Sequence, residues 1–243
     1  MIELFNLTKN FKEVKAVDNI SFKVNRGEVF GLLGENGAGK TTTLRMLATM
    51  LKPTSGKVLI DGSNLLDEPE KVRSKIGILF GGTTGLYDRL TAYENIEYFG
   101  LLNGMDKREI KYSINNLLKD LDMNEYINRK VGKFSKGMKQ KVAIARSIVH
   151  DPKIMFFDEP TSGLDVTSVR MVHKFIEKLR KSGKTIVFSS HSMKEVDKLC
   201  DTVGIIHKGK MAEVTSLSDL RNKYNDLDLE EIFIEIIGDK NEH

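Results

Sequence analysis

Residues 29–47 read VFGLLGENGAGKTTTLRML. An apolar run of strand character is followed by three glycines in six residues, then by a stretch rich in threonine, leucine and methionine with helical spacing. Within it GENGAGKT, residues 34–41, matches G-x-x-x-x-G-K-[ST] in the strand–loop–helix setting that gives the pattern its meaning. Gly34, Gly37 and Gly39 let the backbone curl. The N–H groups of the loop, through Glu35, Asn36 and Ala38, then converge on phosphate oxygens. Lys40 is placed to reach the β- and γ-phosphates. Thr41 offers a hydroxyl to Mg²⁺, and Thr42 adds a second hydroxyl near the phosphates. The expected ligands are therefore a nucleotide and Mg²⁺.

Outward from this loop, short apolar strands alternate with helices. IELFNL, ISFKV and EVFGLL come first, and KVLIDG and KIGILF follow the first helix. From about Leu90 to His150 the pattern turns helical, with Ile110, Ile114, Leu117, Leu118 and Leu121 on one face. Alternation then returns in KIMFFD, a helix carrying Val169, Val172, Ile176 and Leu179, then TIVFSS and VGIIHKG. This is the signature of a mostly parallel α/β sheet interrupted by a helical block. From about Thr215 two short helical patterns lead to a charged end.

The whole chain has 243 residues, 40% of them hydrophobic and 30% charged, with a net charge of +4 spread along its length. That length supports a large core, and the mixed mild charge argues against a dedicated nucleic-acid binder. A single cysteine, Cys200, forms no internal disulfide, and no signal peptide is evident, which points to the cytosol. No apolar run approaches the roughly 18 residues of a membrane span. Work at a membrane would need another chain to do the crossing.

Three further stretches carry chemistry. In KIMFFDEP, residues 153–160, an apolar strand ends in two carboxylates. Beside a phosphate loop, Asp158 suits Mg²⁺ and Glu159 suits removal of a proton from attacking water. In TIVFSSH, His191 follows another strand end and is placed for the γ-phosphate or the water, although a lone histidine there also reads as an ordinary loop residue. In KFSKGMKQKVAIARS, residues 133–147, Ser135 is an N-cap, and Met138, Val142, Ala145 and Val149 form an apolar stripe. A serine, a glycine and lysines at a helix N-terminus form a second anion site.

Together these motifs, over roughly residues 2–220, resemble the ATP-binding subunits of ABC transporters. GENGAGKTT looks like the Walker A loop, FSKGMKQ (134–140) like the signature sequence, and IMFFDE like Walker B with its catalytic glutamate. SGLD (162–165) looks like the D-loop and His191 like the switch histidine. Phe11 sits where the family stacks an aromatic on adenine; a core residue beside a turn is the other reading. The resemblance implies a RecA-like P-loop NTPase core over residues 1–220. It also implies an N-terminal antiparallel β subdomain, a helical subdomain inserted at about 90–150, and a C-terminal helical tail over 221–243. It implies ATP hydrolysis with Lys40, Glu159 and His191 as catalytic groups and Thr41 and Asp158 on the metal.

It implies two partners, a second copy and a membrane permease, with the protein held on the cytoplasmic face of the membrane through the permease. In the head-to-tail dimer of this family, Ser135, Gly137 and Asp165 of one copy face ATP held by the other. That resolves why a chain with one phosphate loop has a second anion site. GLYDRLTAYENIEYFG, residues 85–100, is similar to the NatA-type sodium exporters and neighbouring drug and haem exporter ATPases, which implies export.

Two departures stand out. Lys136 precedes Gly137 where the family has a second glycine. After KIGILF, Gly81 and Gly82 occupy the place of a glutamine that touches Mg²⁺ or water, leaving Thr83 or Thr84 as the nearest substitutes. Two other function classes fit the sequence less well. Soluble ATPases of this family that act on DNA or the ribosome carry paired nucleotide domains or a coiled-coil insertion, absent here. A binding module that barely hydrolyses ATP fits the missing glutamine but not Glu159 and His191.

Overall fold

The computed structural model describes residues 1–81 and 85–238. Gly82, Thr83 and Thr84 fall outside it, as do residues 239–243. The chain opens with a hairpin, β1 (Ile2–Phe11) and β2 (Val14–Val24), turned at Lys12 with φ 48°. Next comes β3 (Val29–Leu33), buried at all five residues, then the phosphate loop and α1 (Lys40–Leu47). β4 (Ser55–Ile60) and β5 (Ser63–Asn64) join the hairpin in an antiparallel sheet of order β2-β1-β4-β5. α2 (Pro69–Arg73) and β6 (Ile76–Leu79) lead to the helical block.

That block contains α3 (Ala92–Leu102), α4 (Lys107–Leu121), a 3₁₀ turn at Val131–Lys133 and α5 (Lys136–Ile148). Thr91 and Asp106 each start a helix with a capping box, pairing with Glu94 and Glu109 respectively, so two orphan N–H donors are met at each entry. Ile110, Ile114, Leu117 and Leu121 are buried as their spacing implies, and Leu118 is partly buried. The chain returns through β7 (Ile154–Asp158), α6 (Val166–Lys181), β8 (Thr185–Ser190), α7 (Met193–Leu199) and β9 (Thr202–His207). β10 (Lys210–Ser216), α8 (Leu217–Lys223) and α9 (Leu229–Gly238) complete it.

The second sheet has the order β10-β9-β3-β8-β7-β6 and is parallel except at β10. β10 is the strand that the sequence reading did not foresee. It is an edge strand with no fully buried residue on either face, so it carries no apolar alternation.

Successive residues of a strand face opposite ways, and β3 uses this to join two cores. Phe30 and Leu32 pack toward the antiparallel sheet, where Phe30 stacks on Phe22 with ring centroids 4.8 Å apart. Val29 and Leu33 face a larger core that also takes in α3 to α9. Each fully buried Leu, Ile or Phe there contributes roughly 1.5–3 kcal/mol.

Candidate active site

The parallel strands place the reacting groups at their C-terminal ends, as in other open α/β sheets. β3 delivers Gly34–Gly39 and α1. Gly37 and Gly39 have φ of 81° and 111°, in the left-handed region. A Cβ at Gly39 would lie 2.6 Å from the Ala16 carbonyl of β2, and one at Gly34 would lie 2.3 Å from the Ile206 carbonyl of β9. The loop is thus curled tightly between two strands that only glycine lets it approach.

Lys40, the first residue of α1, is 4% exposed. Its ammonium donates to the carbonyls of Gly34 and Glu35 at 2.8 and 3.0 Å and lies 3.7 Å from Glu159 Oε1. Burial lowers the lysine pKa, and the charges of Glu159 and Asp158 oppose that fall.

β7 delivers the two carboxylates to different settings. Asp158 is 6% exposed, and its Oδ1 accepts from the hydroxyls of Thr41 at 3.0 Å and Ser189 at 2.6 Å. Glu159 turns away with φ 45°, a strained value for a residue with a side chain. Its N–H is held by Ser189 Oγ at 3.0 Å. Its Oε1 lies 3.4 Å from His191 Nδ1. Lys40, Thr41, Asp158, Glu159 and His191, widely separated in sequence, therefore meet at one place. Gly81 backs onto it: a Cβ there would lie 2.9 Å from the Asp158 carbonyl. Gly82, Thr83 and Thr84 lie outside the described residues.

The remaining candidates gather elsewhere. Ser135 caps α5, accepting from Met138 N–H at 3.2 Å. Asp165 caps α6, accepting from the N–H and hydroxyl of Ser168 at 2.9 and 3.0 Å. Gly137 lets the two helix starts close up, since a Cβ there would stand 2.4 Å from Ser168 Oγ. Ser135, Gly137 and Asp165 line one cleft of about 710 Å³ together with Lys141 and Arg170. No hydrogen bond or ion pair among the described residues ties these three to the phosphate loop. Phe11 lies at the hairpin tip, 46% exposed with Lys9 Nζ 5.1 Å from its ring centroid, and so is not a core residue.

Sequence reasoning missed three groups around Glu159. Ser189 serves both carboxylate-bearing residues. The polar pair Ser189–Ser190, ending a strand buried along its whole length, was the available signal. Glu195 on α7 joins His173 at 3.0 Å and Ser190 Oγ at 2.9 Å, and it is hydrogen-bonded by Thr161. Gln140 of α5, 2% exposed, donates from Nε2 to the Pro160 carbonyl at 2.6 Å.

Residues 17–162 match the family described as "ABC transporter". The chain is 50% identical over 238 residues to the ABC transporter ATP-binding protein NatA of Bacillus subtilis (strain 168), covering 96% of this chain and 97% of that protein. A solved ATP-binding subunit of an ABC transporter superposes with a TM-score of 0.89 at 28% identity, over 98% of this chain and 99% of the other. A dimeric ATP-binding cassette in a post-hydrolysis state with ADP and Pi superposes at 0.81 and 29% identity, over 89% and 99%. Agreement of fold, loop and relatives over nearly the full length leads to one conclusion: the chain belongs to the ABC transporter family, as an ATP-binding subunit that hydrolyses ATP.

Proposed function

We propose that the chain hydrolyses ATP between two copies of itself and so drives a separate permease, in the export direction, from the cytoplasmic face of the membrane. The observation that carries this reading is the meeting of Lys40, Asp158, Glu159 and His191 at one strand-end cluster, with Ser135, Gly137 and Asp165 in a separate cleft. That division suits a site completed by a second copy, and a solved cassette similar to this chain is a dimer bound to ADP and Pi.

In this reading the triphosphate lies along the N–H groups of residues 34–42. The Lys40 ammonium leaves the Gly34 and Glu35 carbonyls for the β- and γ-phosphate oxygens, and Phe11 stacks on the base. Mg²⁺ fits the donors present: a buried carboxylate and a hydroxyl are hard oxygen ligands, and this ion keeps waters and phosphate oxygens for its other positions. Asp158 and Thr41 would hold it, and it would supply charge neutralisation of the phosphates. Among the described residues no group of three or more His, Cys, Asp or Glu forms a rival metal cage.

Glu159 takes a proton from water as the water oxygen bonds to the γ-phosphorus and the bond to the ADP oxygen breaks. His191 orients the γ-phosphate. The partner's copy of the α5 start, with its N–H groups and Ser135 hydroxyl, closes over the same phosphate. ATP favours the closed dimer because only that state makes both sets of contacts, so hydrolysis releases it.

The permease contact is assigned to the face carrying Tyr87, Tyr98, Leu101 and Leu102, which are 40–63% exposed. Export rests on the likeness of residues 85–100 to exporter ATPases. The test is Glu159→Gln. It should bind ATP, lose at least about 100-fold in turnover and elute as a dimer with ATP. Turnover at the wild-type rate would overturn the assignment.

A further inference from the structure

Glu159 depends on its neighbours to an unusual degree. It directly follows β7 in a left-handed conformation, so the direction of its carboxylate is set by whatever holds the backbone on either side. Upstream, Ser189 fixes its N–H at 3.0 Å. Downstream comes a tight turn, closed by Ser162 N–H donating to the Glu159 carbonyl at 3.1 Å and Leu164 N–H donating to that of Thr161 at 3.1 Å. Pro160, in the middle, has no N–H to offer, so its carbonyl is its only backbone polar group.

That carbonyl is taken by Gln140, 2.6 Å away and 20 residues earlier in sequence. Gln140 is the fifth residue of α5. Its Cα stands about 7 Å along the axis from the Ser135 cap, on the same rigid helix whose start is read above as facing the partner's nucleotide. A long amide side chain held 2% exposed costs side-chain entropy and desolvation, and this one short hydrogen bond offsets that cost.

We infer that Gln140 is a positioning residue for hydrolysis: it ties the turn behind Glu159 to the signature helix, so that engagement of the partner's ATP at Ser135 sets the general base of this copy's own site. This rests on Glu159 being the base. A shift of the helix moves the Pro160 carbonyl through one hydrogen bond, and Pro160 is bonded directly to Glu159. The two sites of the dimer are thereby linked by a contact within each copy.

The experiment uses the full chain with Gln140→Met, which keeps length and helix propensity but deletes the donor, and Gln140→Glu, which donates only when protonated. Gln140→Met should lower kcat at least about tenfold, since small misplacements of catalytic groups cost up to about 100-fold. KM for ATP, affinity for a fluorescent ATP analogue and Tm should stay near wild type. The rate of Gln140→Glu, divided by that of wild type at each pH, should rise as pH falls. Wild-type kcat in Gln140→Met overturns the inference. So does a parallel loss of kcat, nucleotide affinity and Tm, which marks a merely structural role. If Gln140→Met does not fold, a flat pH ratio for Gln140→Glu overturns it. Glu159→Gln assayed alongside separates the two claims. Should it turn over normally, the base assignment fails; should it be inactive while Gln140→Met is normal, only the role of Gln140 fails.

Discussion

Gly39 shows how much a single position carries. Its φ of 111° and the 2.6 Å approach of Ala16 oxygen to a would-be Cβ leave no room for a side chain. Gly39→Ala should cost about 1–3 kcal/mol from backbone strain alone, seen in urea denaturation, and abolish ATP binding. A midpoint and affinity equal to wild type would refute the tight loop. This glycine was legible in sequence, because the phosphate loop is a local pattern in which each residue's job depends on near neighbours. The backbone of Glu159 was not: nothing in FFDEP reveals φ 45° for a glutamate. Charge coupling at this scale was equally hidden. Lys40 is pushed down by burial and held up by Glu159 first and Asp158 second, so removing Glu159 lowers the lysine pKa further. As pH is raised, the ATP affinity of Glu159→Gln should accordingly begin to fall earlier than that of wild type, because its lysine gives up the proton sooner; coincident alkaline limbs would refute the coupling.

Several helices are started by side-chain caps, and of these Ser135 was readable in the sequence. Asp106 accepts from the N–H groups of Arg108 and Glu109 at 2.7 and 2.8 Å. Asp106→Ala should cost about 1 kcal/mol in chemical denaturation while leaving ATP affinity unchanged, because α4 lies apart from the strand-end cluster. Glu195 on α7 makes a prediction in pH. Burial raises its pKa, but the hydrogen bonds of His173, Thr161 and Ser190 outweigh this, and the net shift is downward from 4.5. A depressed carboxylate stabilises the fold fully above its unfolded value and loses that contribution as pH falls through the folded one. Tm of wild type should therefore drop below about pH 4.5, and Glu195→Gln should flatten that acid limb; identical slopes would remove Glu195 from the account. Elements with one apolar face, such as α4, were visible in the sequence. β10 was not, because none of its residues is fully buried on either face, so no core side imposes an apolar alternation. Gln140–Pro160 and Ser189–Asp158 were beyond reach for another reason: each joins two elements, and linear spacing says nothing about which elements lie side by side.

At the scale of the molecule, Tyr87 and Tyr98 meet edge-to-face at 5.4 Å beside Leu101 and Leu102, forming an exposed apolar face on the helical block. Among the described residues no helix is long and apolar enough to cross a membrane. Leu102→Lys in a tagged copy should reduce recovery of a multi-span partner from membranes. Stability should change by no more than about 0.5 kcal/mol, as for most surface substitutions. Undiminished recovery would move the docking face elsewhere. The order of strands has a consequence for how the protein is made. β3, which carries the phosphate loop, is flanked by β8 and β9, and its register pairs Leu33 with Ser190 and Ile205. Neither neighbour exists when the loop leaves the ribosome. At about 5–20 residues per second, the nascent chain spends on the order of ten seconds or more with β3 unpaired on both sides. Nucleotide binding is thus among the last properties a growing chain acquires, and a message cut short before β8 yields a product with the whole phosphate motif and neither strand that flanks β3.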